Sequence, residues 1–305
     1  MRNRRGYILL ELVLGAAITC AMSAALFQLA VAAQSALAVQ GDAADQQQRL
    51  RVATAALRHD LMMAGAGPAR GARAGPLIDV LPPVIPARIG AMNPDPELTA
   101  RTDRISIVFV PESRSQTTLR SGMAGSASPL AIEESSAGCV AGTTCDFAVG
   151  DRALIYDAPG AVGAYEIFTV AAVDPARALI APSAPLHRAY AAGARVSIVA
   201  IRTYYLDPAG KRLMVYDGDR SDLPLVDHVA DMRVAYVADG PTGLLTTAQL
   251  ADGPVIGESP SRFDGDLLRV RRVRVTLRLQ GDSSSASVGD LEGTIEVSPP
   301  NMAVR

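Results

Sequence analysis

Gly6-Tyr7-Ile8-Leu9-Leu10-Glu11 runs into Leu12-Val13-Leu14-Gly15-Ala16-Ala17, and after Glu11 no charged residue appears until Asp42. This stretch decides the fold. Leu12 to Gly41 is a run of 30 consecutive uncharged residues, where about 20 in helical form span a bilayer. Arg2, Arg4 and Arg5 lie on its N-terminal side, so the positive-inside tendency puts the start of the chain in the cytoplasm and the bulk outside. Glu11 is a single carboxylate at the front of the run. On insertion scales an acid at the middle of a membrane helix costs about 3 kcal/mol, so its default reading is functional. Something else neutralises it.

The helical pattern continues past the apolar run. Leu50, Ala53, Leu57, Leu61 and Ala64 recur at spacings of three and four and form one stripe. Arg49, Arg51, Arg58 and Asp60 fall mostly off it. The first strong stop is Gly65-Ala66-Gly67-Pro68, where glycine frees the backbone and proline cannot continue the ladder. The pattern predicts one helix over about 7–65, roughly 90 Å long at 1.5 Å per residue. No compact domain buries such a helix. Its first half, about 7–30, is expected in lipid or against other chains, and its second half on a globular domain. A secretory signal is the rival. Arg4-Arg5 with Gly6, Tyr7 and Ile8 resembles a twin-arginine signal, and Ala30-Val31-Ala32 and Ala36-Leu37-Ala38 have the small residues of a cleavage site. Against it stand Glu11, the continuing helix, and an h-region that is ordinarily only about 7–15 residues long.

The hexapeptide resembles the N-terminus of type IV pilin and type II secretion pseudopilin precursors. Their pattern is a short basic leader ending in glycine, an aromatic residue, and glutamate as the fifth residue of an apolar run. Gly6, Tyr7 and Glu11 match it; the usual phenylalanine and threonine are replaced by Tyr7 and Leu9. The resemblance implies a leader over 1–6, prepilin-peptidase cleavage between Gly6 and Tyr7, and N-methylation of Tyr7. It also implies a charge pair between Glu11 and the amino terminus of a neighbouring subunit. Ala55–Gly65, Leu225–Tyr236 and Val270–Leu279 are similar to segments of PilW-like and J-type minor pilins. Length fits a minor subunit, since major pilins are usually much shorter. The implied location is the inner membrane, single pass, with a periplasmic domain, and then a filament or tip complex. The implied partners are other major and minor pilins or pseudopilins, prepilin peptidase, the inner-membrane assembly platform and membrane lipid.

Composition bounds the remainder. Aromatic residues are only 4% and Trp is absent, so the core must be built from Val, Ile, Leu and Ala. Losing the three leader arginines from 29 basic residues leaves 26 against 31 acidic ones, or −5. That balance gives no bulk attraction to nucleic acid. Cys20 lies in the apolar run and reads as a small hydrophobe. Cys139 and Cys145, in turn-rich sequence, read as a disulfide closing a small loop in an oxidising compartment.

After the helix, one periplasmic β-rich domain is expected over 68–305. Residues 68–103 are rich in Pro, Gly and Ala and read as irregular connection. Residues 111–145 read as a long loop holding the disulfide. Strands are expected at 105–110, 152–157, 165–173, 196–206, 211–217, 267–280 and 293–298. Asp207-Pro208-Ala209-Gly210 is a turn signal, pairing 196–206 with 211–217 in a hairpin. Residues 226–237 are expected to begin as a short helix or turn and end as a strand. One helix followed only by strands implies α+β with an antiparallel sheet, the stripe Leu50–Ala64 lying on one face.

Chemistry-bearing patterns are few. His59, His187 and His228 share no motif, and no Gly-x-Ser-x-Gly elbow or phosphate loop is present. Asp217, Asp219 and Asp222 offer three carboxylates in six residues, a spacing calcium can use. They lack the glycine and terminal glutamate of an EF-hand, and a solvated turn is the plainer reading. In Val270–Leu279 arginines alternate with Val and Leu, which gives a strand with one buried and one cationic face. No aromatic residues interleave to stack bases. The expectation is a structural subunit that helps initiate or cap a pilus or pseudopilus, with no enzyme activity, cofactor or metal. The alternative is a membrane-anchored or secreted periplasmic binding protein or enzyme, whose mark would be a pocket with converging polar groups.

Overall fold

The structure, a computed structural model, describes residues 5–68, 75–113, 115–134, 139, 143–157, 162–239, 243–281 and 289–302. It begins with a single helix, α1 (Arg5–Met63). The strands that follow are β1 (Val84–Ile85), β2 (Arg104–Phe109), β3 (Gln116–Thr118), β4 (Leu130–Ala131), β5 (Arg152–Tyr156) and β6 (Tyr165–Asp174). Next come β7 (Leu179–Pro182), β8 (Arg195–Ile198), β9 (Ala200–Asp207), β10 (Arg212–Tyr216), β11 (Asp222–Val226) and β12 (Val229–Ala238). The last are β13 (Leu244–Leu245), β14 (Val255–Ile256), β15 (Phe263–Asp264), β16 (Val270–Leu279) and β17 (Leu291–Val297). Every pairing is antiparallel. One long apolar helix followed by an antiparallel β-rich region is an α+β layout.

The helix ends where the sequence places its stop. Gly65 takes φ +75°, the left-handed conformation glycine reaches without a Cβ penalty. Its N–H then donates to Val108 O at 3.0 Å, so the chain turns directly onto β2. Ala53, Leu57, Leu61 and Ala64 are fully buried, and Leu50 packs against their cluster. The stripe meets β2, β11, β16 and β17. The four-stranded sheet β13-β12-β16-β17 supplies Met232, Val234, Tyr236, Val273, Val275 and Leu277 to this core, and the five-stranded sheet β1-β2-β9-β10-β11 supplies Ile105 and Ile107.

A second core sits within the span between β2 and β9. These strands are neighbours in the sheet, yet β3 to β8 are threaded between them in sequence and form their own six-stranded sheet, β3-β8-β5-β6-β7-β4. Leu119, Leu130, Ile132, Phe147, Ile155 and Ile180 fill one face of it. The segment 111–145 read as a long loop therefore needs correction. It carries β3 and β4, and its Leu119, Leu130 and Ile132 are buried. Two short strands among serines and glycines leave no alternating run for a sequence pattern to register. The predicted strand 196–206 is two strands broken at Val199, where the chain leaves the six-stranded sheet for the five-stranded one. Residues 229–238 are strand throughout. The expected span 226–237 begins with a turn rather than a helix, a bend at Asp227 and His228, where His228 takes φ +57°, and then runs as β12 paired with β16 along its whole length.

Candidate functional site

The first half of α1 presents bare apolar side chains. Leu10, Leu14, Phe27 and Leu29 are each between 61% and 72% exposed. This is one helix near the N-terminus that is long and apolar enough to cross a membrane, by length and composition. Two of its hydroxyls are satisfied inside the helix: Thr19 donates to Gly15 O at 2.8 Å and Ser35 to Ala32 O at 2.9 Å. In lipid, polar groups need such internal partners. Glu11 stands exposed among these residues. Gly6 and Tyr7 lie in the first two turns of α1, while Arg2 and Arg4 lie outside the described residues.

The second half is pinned by contacts the sequence pattern does not show. Arg49 Nε lies 2.8 Å from Asp227 Oδ1, and Gln46 Nε2 donates to Gly289 O at 3.4 Å. Tyr204 OH on β9 donates to Asp60 Oδ2 at 2.8 Å. Burial pushes the Tyr204 hydroxyl pKa up, and the Asp60 charge pushes it further. Gly293 on β17 is a close-approach glycine: a Cβ there would lie 2.6 Å from Leu50 Cδ2. These partners lie far apart in sequence, so periodicity cannot pair them.

The three aspartates whose spacing calcium could use are each engaged by other groups. Asp217 Oδ1 accepts from the backbone N–H groups of Asp219, Arg220 and Ser221 at 2.8, 3.0 and 3.0 Å. Burial pushes the Asp217 pKa up, but the three backbone bonds together outweigh it and hold the carboxyl below its ordinary value. Asp219 faces Arg152 and Arg220. Asp222 accepts from Arg88 Nη2 and from Tyr205 OH, both at 2.8 Å. Arg88 itself is sandwiched, 4.8 Å from the Tyr205 ring centre and 4.1 Å from that of Tyr216. Among the described residues no group of three or more His, Cys, Asp or Glu side chains is placed to hold a metal.

The cationic strand is also paired. On β16, Val273, Val275, Leu277 and Leu279 point into the core, and Arg272 and Arg274 reach Glu296 on β17 at 2.7 Å each. Arg278 reaches Asp290 at 2.9 Å. These arginines are matched within the chain by the strand beside them. Cys139 and Cys145 are joined by a disulfide with their Cα atoms 4.5 Å apart, and Cys20 is free and exposed. His59 Nδ1 lies 3.0 Å from Asp60 Oδ1, and His228 Nδ1 lies 3.4 Å from Asp227 Oδ1 without a hydrogen bond among the described residues. His187 is the exception. Its ring Nδ1 and backbone N lie 2.9 and 2.7 Å from Glu166 Oε2, a contact no local motif announces.

Glu166 and His187 border a cleft of about 780 Å³ between the six-stranded sheet and the segments 94–99 and 260–264, the latter ending in β15. Tyr165, Phe168, Ile201, Leu250 and Phe263 supply apolar walls. Of its acids, Asp95 takes two bonds of 2.9 Å from Arg104, and Glu97 is bonded by Arg262 and Ser259. Glu166 and Asp264 are only 8% and 1% exposed. Asp264 is held by the backbone N–H groups of Gly253 and Asp266, and Glu166 by His187 and Tyr190. No family model, curated protein or solved structure matches this chain.

Proposed function

We propose that this chain is a pilin-like minor subunit, a structural protein that helps initiate or cap a type IV pilus or type II secretion pseudopilus. The observation that carries the reading is the division of α1. Its first half exposes a membrane-length apolar surface with Glu11 at its front, and its second half is built into an antiparallel β-rich core. In this reading the helix is a docking rod and the chain catalyses no reaction of its own. Prepilin peptidase cuts between Gly6 and Tyr7, the new terminus is methylated, and Glu11 meets the amino terminus of a neighbour. A carboxylate in apolar surroundings is tolerated when a close opposite charge compensates its desolvation. The engaged Asp217, Asp219 and Asp222 fit a subunit whose acids organise loops.

The test is the mass of the mature chain expressed with its peptidase. The expected product begins at Tyr7, and Gly6→Leu leaves the precursor uncut. Glu11→Ala is processed but incorporated poorly. A mature product beginning at Val31 or Gln34 refutes the reading. That outcome would instead support an exported periplasmic binding protein or enzyme, the second reading that the cleft beside Glu166 favours.

A further inference from the structure

Strand β6 enters the cleft in an unusual way. Tyr165, Glu166, Ile167, Phe168 and Thr169 all line it. Successive strand side chains point to opposite faces, so five in a row can border one space only if it runs along the strand's edge. Hydrogen bonds identify which backbone groups look out. Val170 N–H donates to Asp151 O, and Val170 O accepts from Gly150, both towards β5. Stepping back by two, Phe168 and Glu166 also face β5. Thr169, Ile167 and Tyr165 therefore face the cleft. The far side of β5 agrees, since Arg152 O accepts from Val199 at the β8 side.

Beyond Val170 this edge is covered by β7, which pairs only with Val170–Asp174. Within the cleft, Thr169 O accepts from Ser183 N at 2.8 Å. Among the described residues no backbone partner reaches the N–H of Thr169, or the N–H and C=O of Ile167 and Tyr165. A row of unpaired N–H and C=O groups is a template for another strand. The bordering charges are not balanced. Arg152 and Arg262 face Asp219 and Glu97, whereas the buried Glu166 is bonded by His187 and Tyr190 and has Arg188 acting on it only through space.

We propose that this cleft binds an extended peptide segment of a partner protein by strand addition to Tyr165–Thr169. The segment has apolar residues at alternate positions, facing the Tyr165 and Phe263 walls, and lysine or arginine between them to answer Glu166 at the cleft wall. Main-chain bonds to the open edge hold it and the side-chain pattern selects it, as in other strand-addition sites. This inference does not depend on the filament reading, because the edge lies in the globular region.

The test uses the full chain in detergent micelles and a capped (Val-Lys)3 peptide. Saturable binding is expected by titration calorimetry, together with at least a tenfold slowing of amide exchange at Ile167 and Thr169. The same peptide N-methylated at alternate residues, and a (Val-Glu)3 peptide, are each expected to bind at least tenfold more weakly. Thr169→Pro removes one outward N–H, which an edge strand tolerates, and is expected to weaken binding about tenfold. No saturable binding of (Val-Lys)3, equal binding of the N-methylated peptide, or protection at another sheet edge would overturn the proposal.

Discussion

Replacing Asp222 with alanine should unfold the loop around Arg88 at a cost that can be worked from the geometry. The Arg88 side chain is 7% exposed and that of Asp222 is 21% exposed. Removing one partner of a buried pair typically costs about 3–5 kcal/mol, because the other charge is left uncompensated. Water reaches Asp222, so the lower end applies, about 3 kcal/mol. The two tyrosine faces keep their attraction for the guanidinium in the variant and cannot add to the loss. For a domain of this size the expected fall in Tm is about 6–12 °C. Circular dichroism at β-sheet wavelengths, on the full chain in detergent, reads it. Arg88→Met with Asp222→Ala removes both charges, and should recover more than half of the loss. A single-variant loss below about 1 kcal/mol, or a double variant less stable than Asp222→Ala alone, would refute the buried-pair reasoning. The wild-type Tm is expected not to move in millimolar calcium. A rise that Asp222→Ala abolishes would make Asp222 a calcium ligand instead.

Leu57→Ala or Leu61→Ala removes a fully buried helix anchor, and each should cost about 2–5 kcal/mol by denaturant titration. Gly293→Val drives a side chain into Leu50, and the lost stability should be partly restored by adding Leu50→Ala. Asp217 titrates below its ordinary value in the fold, so its contribution is complete at neutral pH and is lost as pH falls below about 4. Asp217→Asn should flatten the acid limb of a stability-against-pH curve. Cys139→Ser with Cys145→Ser opens a loop of sequence separation 6, and on the chain-entropy scale should cost about 2 kcal/mol, read as a lowered Tm under non-reducing conditions.

Elements with a strong local period were legible. The stripe Leu50–Ala64 and its glycine stop mark the helix, and the alternation in Val270–Leu279 marks both faces of β16. What stayed hidden depends on partners distant in sequence. The arginines of β16 read as a solvated face or a seam to a partner subunit because Glu296 and Asp290 lie 12 to 24 positions further along the chain. Asp222 read as part of a solvated turn, with calcium as the lesser alternative, because Arg88 is 134 residues away. The six-stranded sheet was missed because β3 and β4 are three and two residues long and owe their strand geometry to β8 and β7. The cleft follows from that sheet, so it too was beyond a reading of local pattern.

The counter-charge of Glu11 is a question of length. Docking of the stripe buries Leu57 and Leu61 completely, worth about 2 kcal/mol each, so the second half of α1 is part of the domain core. No proline interrupts the chain between Glu11 and Leu57, and the helix is continuous across both. At 1.5 Å per residue these two positions are roughly 70 Å apart along one rod. Screened interactions between charges fade over about 10 Å in ordinary salt, and buried ones still require close approach. Among the described residues, none of the β-rich region is therefore placed to neutralise Glu11. Along the helix itself the nearest cation on its C-terminal side is Arg49, more than half that distance away. On its N-terminal side Arg5 opens the same helix, so the answering charge is left to that end of the rod or, in the proposed reading, to another molecule met at the depth that the docked far end sets.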